Sequence, residues 1–291
     1  MQVFKKIFTA TLITCVILSI AGIVYVVQFQ EEKQDVQEGK TAEKAIKIKS
    51  GKTKSKMPDK AATAIPTQEI SIIIDDIGYD LNVTKALASI QADLTFAILP
   101  FQKHSRESAA ILHQAKREIL LHLPMEPVSY PEEKPGEGAL FTDMSDEELV
   151  YQLKKNIAAV PYVSGVNNHM GSRFMIDELK LTVVFKELKK ANMFFVDSRT
   201  SPDTKTAVAA KTTGLKVAER KIFLDNHRNY NIIYNNIMQA AQGNGLSPKI
   251  MIGHPYPETI QALRDAVDDL RKKNISIVPV SRLIKTVKTS S

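Results

Sequence analysis

From residue 69 onward, short apolar runs alternate with longer stretches in which apolar residues recur every three or four positions. The short runs are rich in Ile, Val and Phe, a composition typical of buried β-strands. They predict strands at residues 70–74, 94–99, 118–123, 163–167, 193–197, 221–225, 249–253 and 275–280. The longer stretches predict helices at residues 81–91, 104–116, 145–159, 178–191, 229–243 and 256–273. The third helix begins with a capping box, in which Ser145 is followed three residues later by Glu148.

This alternation defines the fold class. Strands that are apolar almost throughout, separated by helices, predict an α/β domain with a parallel sheet covered by helices. Seven or eight such units favour a (β/α) barrel, although a doubly wound open sheet gives the same pattern. In both architectures the functional residues are expected at the C-terminal ends of the strands.

The N-terminus carries a different pattern. Lys5 and Lys6 precede an apolar run over residues 7–29 that contains no charged residue and is long enough to span a bilayer. The run continues well past Ala21 and Gly22, which favours an uncleaved membrane anchor at residues 1–30 over a cleaved signal peptide. The flanking lysines predict a cytoplasmic N-terminus and an extracytoplasmic domain, which would be secreted if the segment were cleaved.

Residues 31–68 are predicted to be a flexible Lys-rich linker, because they contain few large apolar residues. Residues 40–60 alone hold eight lysines, so most of the net charge of +7 lies there. We therefore do not expect nucleic-acid binding; the lysines either contact anionic envelope polymers or lipid, or simply keep the linker solvated. The single cysteine, Cys15, excludes an internal disulfide and a cysteine-based zinc site. Residues 69–291 remain as one folded domain.

Six of the predicted strands end close to a residue that can act as metal ligand, acid or base. In chain order these residues are Asp75 and Asp76, His122 with Glu126 nearby, His169, Asp197, Asp225 and His254. Each alone has an ordinary explanation, since an aspartate after a strand often caps the next helix and a single histidine is often a core residue. His104, His113 and His227 are assigned to that ordinary class. Helix capping does not require several imidazoles and carboxylates on one rim, so together they predict a shared site.

Convergent aspartate and histidine side chains suit a divalent metal ion, with zinc preferred. Such an ion makes water more acidic, and a neighbouring carboxylate and histidine can then act as base and acid. Asp75 and Asp76 are adjacent, so they point to opposite faces if the strand geometry persists, and we expect them to have different roles.

Other chemistries fit the residues less well. The stretch at 51–56, GKTKSK, follows no predicted strand and is not a phosphate-binding loop. No G-x-S-x-G motif is present, and pairing Ser172 with His169 leaves the other rim histidines unexplained. Two-carboxylate glycoside hydrolysis stays open, with Asp76 paired with Asp197 or Asp225.

Seven segments in order, IIIDDIGYD, LPFQKHS, LLHLPMEP, GVNNHMGSRF, FFVDSRTS, FLDN and GHPYPETI, resemble the divergent polysaccharide deacetylase family. The resemblance covers nearly all of residues 69–285. It implies a distorted (β/α) barrel of about seven parallel strands, similar to polysaccharide deacetylases of the NodB type. It also implies an envelope location and a divalent metal ion.

The resemblance also implies roles for individual residues. In the NodB-type pattern the paired aspartates are base and ligand, so Asp75 would be the base and Asp76 the ligand. The NodB-type histidine pair, H-x-x-x-H, is absent here, and His122 and His169 would have to replace it from separate strands. His254 resembles the late histidine that acts as general acid.

The leading hypothesis is a membrane-tethered, metal-dependent hydrolase that removes N- or O-acetyl groups from an envelope polysaccharide. Asp75 and His254 would be catalytic, and five further residues would support the ligands or bind substrate, namely Glu126, Asn168, Asp197, Arg199 and Asp225. A second hypothesis is a carbohydrate-binding or envelope-assembly module without turnover, motivated by the missing histidine pair. A third is a metal hydrolase acting on a glycosidic or phosphate ester bond.

Overall fold

The computed structural model describes residues 68–242 and 249–284, which lie within one compact unit, Thr63–Ser291. The anchor predicted at residues 1–30 and all but the last residue of the predicted linker fall outside this range and stay predictions. No helix within the described residues is long and apolar enough to cross a bilayer.

The domain is built on one sheet in which every strand pair is parallel. Its strands are β1 (Gln68–Ile77), β2 (Thr95–Ile98), β3 (Glu118–Met125), β4 (Gly165–Met170), β5 (Phe194–Asp197), β6 (Val217–Glu219), β7 (Ile222–Phe223), β8 (Lys249–Gly253) and β9 (Ile275–Ile277). They lie in the order β6-β5-β4-β3-β2-β1-β8-β7, and β9 also pairs with β1.

The two ends of this sheet are joined by a short stretch of chain, because β6 and β7 follow each other directly in sequence. Between them, the Arg220 backbone N–H donates to the Asp197 carbonyl over 2.9 Å, and the Lys221 N–H donates to the Ile250 carbonyl over 2.8 Å. The same stretch therefore lies against β5 on one side and β8 on the other. This curled parallel sheet confirms the predicted distorted (β/α) barrel.

Helices alternate with the strands. They are α1 (Leu81–Ala88), α2 (Ser105–Gln114), α3 (Asp146–Ala159), α4 (Glu178–Lys190), α5 (Thr206–Thr213), α6 (Tyr230–Gln242), α7 (Pro257–Lys272) and the short α8 (Val280–Leu283). The capping box is confirmed, since Ser145 Oγ accepts from the Glu148 N–H and Glu148 Oε2 accepts from the Ser145 N–H. The pattern missed α8 and β6, which are too short to show a clear period, and α5, whose sequence TAVAAKTT has no clear apolar stripe.

Two apolar clusters pack on opposite faces of the sheet. The larger lies between the sheet and the helices and includes Phe174, Phe185 and Phe195. The smaller fills the inside of the barrel with Ile73, Ala97, Leu120, Phe194, Val196, Ile250, Ile252 and Val280. Because side chains alternate along a strand, a polar residue two positions after one of these apolar residues points to the same inner face. It then lies next to the smaller cluster.

Candidate active site

The end of β1 departs from regular strand geometry at Asp76. This residue has a φ of 57°, and the pairing with β2 shifts register between Ile74 and Ile77. Asp75 Oδ2 and Asp76 Oδ1 consequently lie 3.7 and 3.2 Å from the same nitrogen, His122 Nε2. The two aspartates were expected to point to opposite faces if strand geometry persisted, but that geometry ends at Asp76, where the irregularity turns the side chain back towards the inside.

Helix capping explains neither aspartate of this pair. The N-cap of α1 is Asp80, whose Oδ1 accepts from the Asn82 N–H over 2.7 Å. The chain between the two features turns at Gly78, where φ is 131° and a Cβ would lie 3.2 Å from Gln102 Cβ. Asp75 and Asp76 are thus available to the inside of the barrel.

Three potential ligand atoms form a nearly equilateral triangle at this point. Asp76 Oδ1 lies 3.2 Å from His122 Nε2 and 3.1 Å from His169 Nδ1, and the two nitrogens are 3.1 Å apart. A tetrahedral zinc ion with bonds of 2.0–2.1 Å has ligand atoms about 3.3 Å apart. The three atoms therefore match one face of such a tetrahedron, with the fourth corner open.

The chemistry of these atoms also fits a cation. Asp76 Oδ1 is buried and accepts no well-aligned hydrogen bond among the described residues, although both imidazole nitrogens lie within 3.2 Å of it. The short contact between the His122 and His169 nitrogens needs a proton between them or a cation in its place. Two imidazole nitrogens and a carboxylate oxygen are a donor set that zinc prefers. The two imidazoles come from the neighbouring strands β3 and β4.

The electrostatics of the cluster are strongly coupled. Burial raises the pKa of Asp75, which is 2% exposed. Burial alone would lower the pKa of His122, but the carboxylates of Asp75 and Asp76 outweigh it and raise this pKa to about 9. Burial alone would raise the pKa of Asp76, but the imidazoles of His122 and His169 hold it well below its ordinary range. Asp76 therefore stays ionised, as a metal ligand must.

His254 faces the cluster from β8, on the other side of β1. Its Nε2 lies 3.9 Å from Asp76 Oδ2, while its Nδ1 lies 3.0 Å from Asp225 Oδ1. Asp225 Oδ2 accepts from the His254 backbone N–H and from Thr259 Oγ1. Burial lowers the pKa of His254, but the Asp225 hydrogen bond and the charge of Asp75 outweigh this effect and raise it. The arrangement aims Nε2 of a readily protonated imidazole at the site.

Asp197 stabilises its own loop through hydrogen bonds instead of facing the triangle. Its Oδ1 accepts from the Arg199 backbone N–H, and its Oδ2 accepts from Thr204 Oγ1 and Thr206 Oγ1. The Arg199 guanidinium lies 3.5 Å from Glu219 Oε2, so it does not orient the Asp197 carboxylate. The contact between Arg199 and Asp197 is made by the Arg199 backbone N–H and not by its side chain.

Two further residues with a predicted supporting role also hold loops. Glu126 Oε2 accepts from the Thr142 N–H and Thr142 Oγ1, and its Oε1 lies 3.5 Å from Arg173. Asn168 Oδ1 accepts from the Ser198 N–H over 2.8 Å. These contacts connect the β3, β4 and β5 ends of the rim to one another.

The same contacts weigh against two alternative chemistries. Both oxygens of Asp197 and both oxygens of Asp225 accept hydrogen bonds from neighbouring groups, which leaves neither carboxylate free to pair with Asp76 in glycoside hydrolysis. Ser172 Oγ accepts from the Val128 N–H over 2.9 Å, so the serine holds a loop.

Sequence reasoning missed Asn167 and Arg220. Asn167 lies in the middle of the site and contacts both His122 and Asp75. Arg220 donates to the Ser198 and Arg199 carbonyls, and burial lowers its pKa. Asn167 could have been found from its position, because it lies two residues before His169 on the same strand and therefore shares its inner face.

Comparison with known proteins agrees with this architecture. Residues 72–284 match the family described as divergent polysaccharide deacetylase. The chain belongs to this family.

Two relatives and one solved structure show how far the similarity extends. The uncharacterized protein YibQ of Escherichia coli K12 is 35% identical over 220 residues, covering 74% of this chain and 67% of its own length. An uncharacterized protein of Haemophilus influenzae is 30% identical over 223 residues, covering 76% of this chain and 78% of its own. The crystal structure of an uncharacterized protein from Agrobacterium tumefaciens C58 has a TM-score of 0.70 at 22% identity, covering 74% of this chain and 89% of its own. This last likeness concerns the fold alone.

Proposed function

We propose that this protein is a metal-dependent hydrolase that removes acetyl groups from an envelope polysaccharide. The observation that carries the proposal is the triangle of Asp76 Oδ1, His122 Nε2 and His169 Nδ1, flanked by Asp75 and His254. Membership in the divergent polysaccharide deacetylase family supports a polysaccharide as the substrate class.

The three atoms of the triangle would hold a divalent cation, with zinc preferred for its affinity for imidazole and carboxylate ligands. A cation bound there supplies positive charge that polarises the acetyl carbonyl and makes water more acidic. Asp76 contributes the negative charge of the ligand set, because its pKa lies well below neutrality.

Asp75 would accept the proton of the attacking water. Its Oδ2 lies 3.7 Å from His122 Nε2, at the edge of the triangle, and burial raises its pKa above that of an exposed aspartate. A base whose pKa lies closer to the working pH transfers protons more efficiently.

His254 would donate a proton to the leaving nitrogen or oxygen. Asp225 accepts from Nδ1, which leaves Nε2 directed at the site. The raised pKa keeps a larger fraction of the imidazole protonated, as a general acid requires. Asp225 is therefore a positioning residue for His254.

The cellular setting of the proposal comes from the N-terminal sequence. An anchor at residues 1–30 and a Lys-rich linker at residues 31–68 would tether the domain outside the cytoplasmic membrane, within reach of envelope glycans.

The test is acetate release by the purified full-length chain. Partially acetylated chitin oligomers, acetylated xylan and peptidoglycan fragments would be offered before and after chelation and with zinc added back. We expect metal-dependent release that falls at least about a thousandfold in Asp75→Asn and His254→Ala, since each removes a proton-transfer group. Asp268→Asn, exposed on α7, is the matched control.

Two outcomes would contradict the proposal. Absence of stoichiometric metal after zinc is added back would remove the metal-dependent mechanism. Metal binding without acetate release from any of these glycans would favour the binding or assembly module.

A further inference from the structure

Asn167 lies at the centre of the site and has no part in the proton transfers described above. Its side chain is 0% exposed. The register of β3 with β4 sets it directly beside His122, and strand alternation turns it to the same inner face as His169. A buried amide is stable only when both its oxygen and its nitrogen have partners, so the partners define its role.

The two ends of this amide contact two different parts of the site. Asn167 Nδ2 donates to Asp75 Oδ1 over 2.8 Å and to Ser198 Oγ over 3.4 Å. Asn167 Oδ1 lies 2.9 Å from His122 Nδ1. One side chain therefore connects the candidate base with a candidate metal ligand.

The contacts also define which His122 nitrogen carries a proton. Asp75 presents carboxylate oxygens, so the amide NH₂ group faces Asp75 and the amide oxygen faces His122. An amide oxygen can only accept, and His122 Nδ1 must therefore be the donor. The lone pair of a neutral His122 then resides on Nε2, the atom that belongs to the triangle.

We propose that Asn167 is a positioning residue that holds His122 in the tautomer able to bind a metal ion and holds Asp75 in the orientation able to accept a proton. The inference rests on the proposed function, since it assigns Asn167 a task in the same site. Partners of metal-bound histidines orient the ring, and their loss typically costs 10–100-fold in metal affinity.

The chemical asymmetry of the amide makes the two tasks separable. In Asn167→Leu both partners are lost. In Asn167→Asp the acceptor for the His122 N–H is kept, while the donor to Asp75 is replaced by a second carboxylate. Zinc affinity and acetate release should therefore respond differently to the two substitutions.

The experiment uses the full-length chain, zinc chloride and a competing chromophoric chelator. We expect Asn167→Leu to lower zinc affinity about 10–100-fold. Asn167→Asp should keep zinc affinity within about threefold of wild type. Acetate release should fall in both variants. Asn156 on α3 is another fully buried amide, and it donates to the Gly138 carbonyl. Its replacement in Asn156→Leu should leave zinc affinity unchanged.

A spectroscopic measurement checks the tautomer without relying on activity. In the zinc-loaded protein with ¹⁵N-labelled histidine, His122 should carry its proton on Nδ1 and bind zinc through Nε2. Zinc bound through Nδ1 of His122 would overturn the inference.

The outcomes separate this inference from the proposed function. Equal loss of zinc affinity in Asn167→Leu and Asn167→Asp, accompanied by a lower melting temperature, would reduce Asn167 to a structural residue. Wild-type zinc affinity in both variants would also overturn its role, while leaving the proposed function intact. A wild-type chain that binds no zinc would instead overturn both.

Discussion

Two doublets of identical polar residues occupy the ends of strands in this barrel, and they behave differently. At Asn167–Asn168 the ladder with β3 continues without a shift, so Asn167 faces His122 and Asn168 faces the loop after β5. At Asp75–Asp76 the ladder with β2 shifts and Asp76 adopts a φ of 57°. Both aspartates then face the inside. The two asparagines therefore lie on opposite faces of their strand, whereas the two aspartates lie on the same face. The difference comes from the backbone and not from the side chains.

The largest expected effect is on metal binding at the aspartate doublet. Asp76→Asn keeps the shape of the side chain but removes its charge, so zinc affinity should fall by more than about a hundredfold, beyond the loss typical of an indirect partner. Competition with a chelator measures this loss. Asp75→Asn is the control and should retain affinity within about tenfold while losing acetate release. Equal affinities in the two variants would remove the proposed difference between the two aspartates.

Substitutions in the asparagine doublet should separate an effect on stability from an effect on zinc affinity. Asn168→Ala leaves the buried Ser198 N–H without its acceptor, which should lower the free energy of unfolding by about 1–3 kcal/mol. Urea denaturation measures this change, and zinc affinity should stay near that of wild type. A loss of zinc affinity as large as in Asn167→Leu would show that the two asparagines do not have separate roles.

The backbone of the aspartate doublet can be tested by comparing two substitutions at one position. Asparagine tolerates the left-handed conformation at residue 76 better than alanine does. Asp76→Ala should therefore be about 1 kcal/mol less stable than Asp76→Asn. At residue 75, which is not left-handed, the same pair of substitutions should not show this backbone difference, and a similar gap there would rule out backbone strain as its cause.

The last prediction concerns the histidine that faces the doublet. The Asp225 hydrogen bond and the charges of Asp75, Asp225 and Asp76 raise the pKa of His254 against the opposing effect of burial. Removing a negative charge makes protonation less favourable, so the pKa of His254 should fall in Asp75→Asn and in Asp225→Asn. A pH titration of the His254 imidazole by NMR in the zinc-free protein measures both. An unchanged midpoint in Asp225→Asn would exclude the proposed pairing.

Much of the fold could be predicted because the apolar runs have strand length and the stretches between them have helical period. Parallel strands present their C-terminal ends together, and this rule predicted the rim position of Asp75, Asp76, His122, His169 and His254. The supporting residues were harder. Asp197 and Asn168 are at the rim, but their partners come from Thr204, Thr206 and Ser198 in a loop without periodic sequence.

Local sequence predicts the inner-face position of Asn167, but not the orientation of Asp76 or the contact between Asn167 and His122. The orientation depends on how β1 pairs with β2, and the contact on which residue of β3 lies beside Asn167. Both are contacts between segments far apart in the chain, and a shift of one residue in register would reverse them.

The amino-acid sequence by itself determined that this chain forms a parallel α/β domain and that acids and imidazoles collect on one rim, because local apolar periodicity sets each element and the helices between the strands make the strands parallel. Only the tertiary structure decided which of those groups meet. The triangle of candidate ligand atoms, with edges of 3.1–3.2 Å, lies where an irregular strand end, a strand register and a buried amide come together. These arise when distant strands pack, and no single segment contains them.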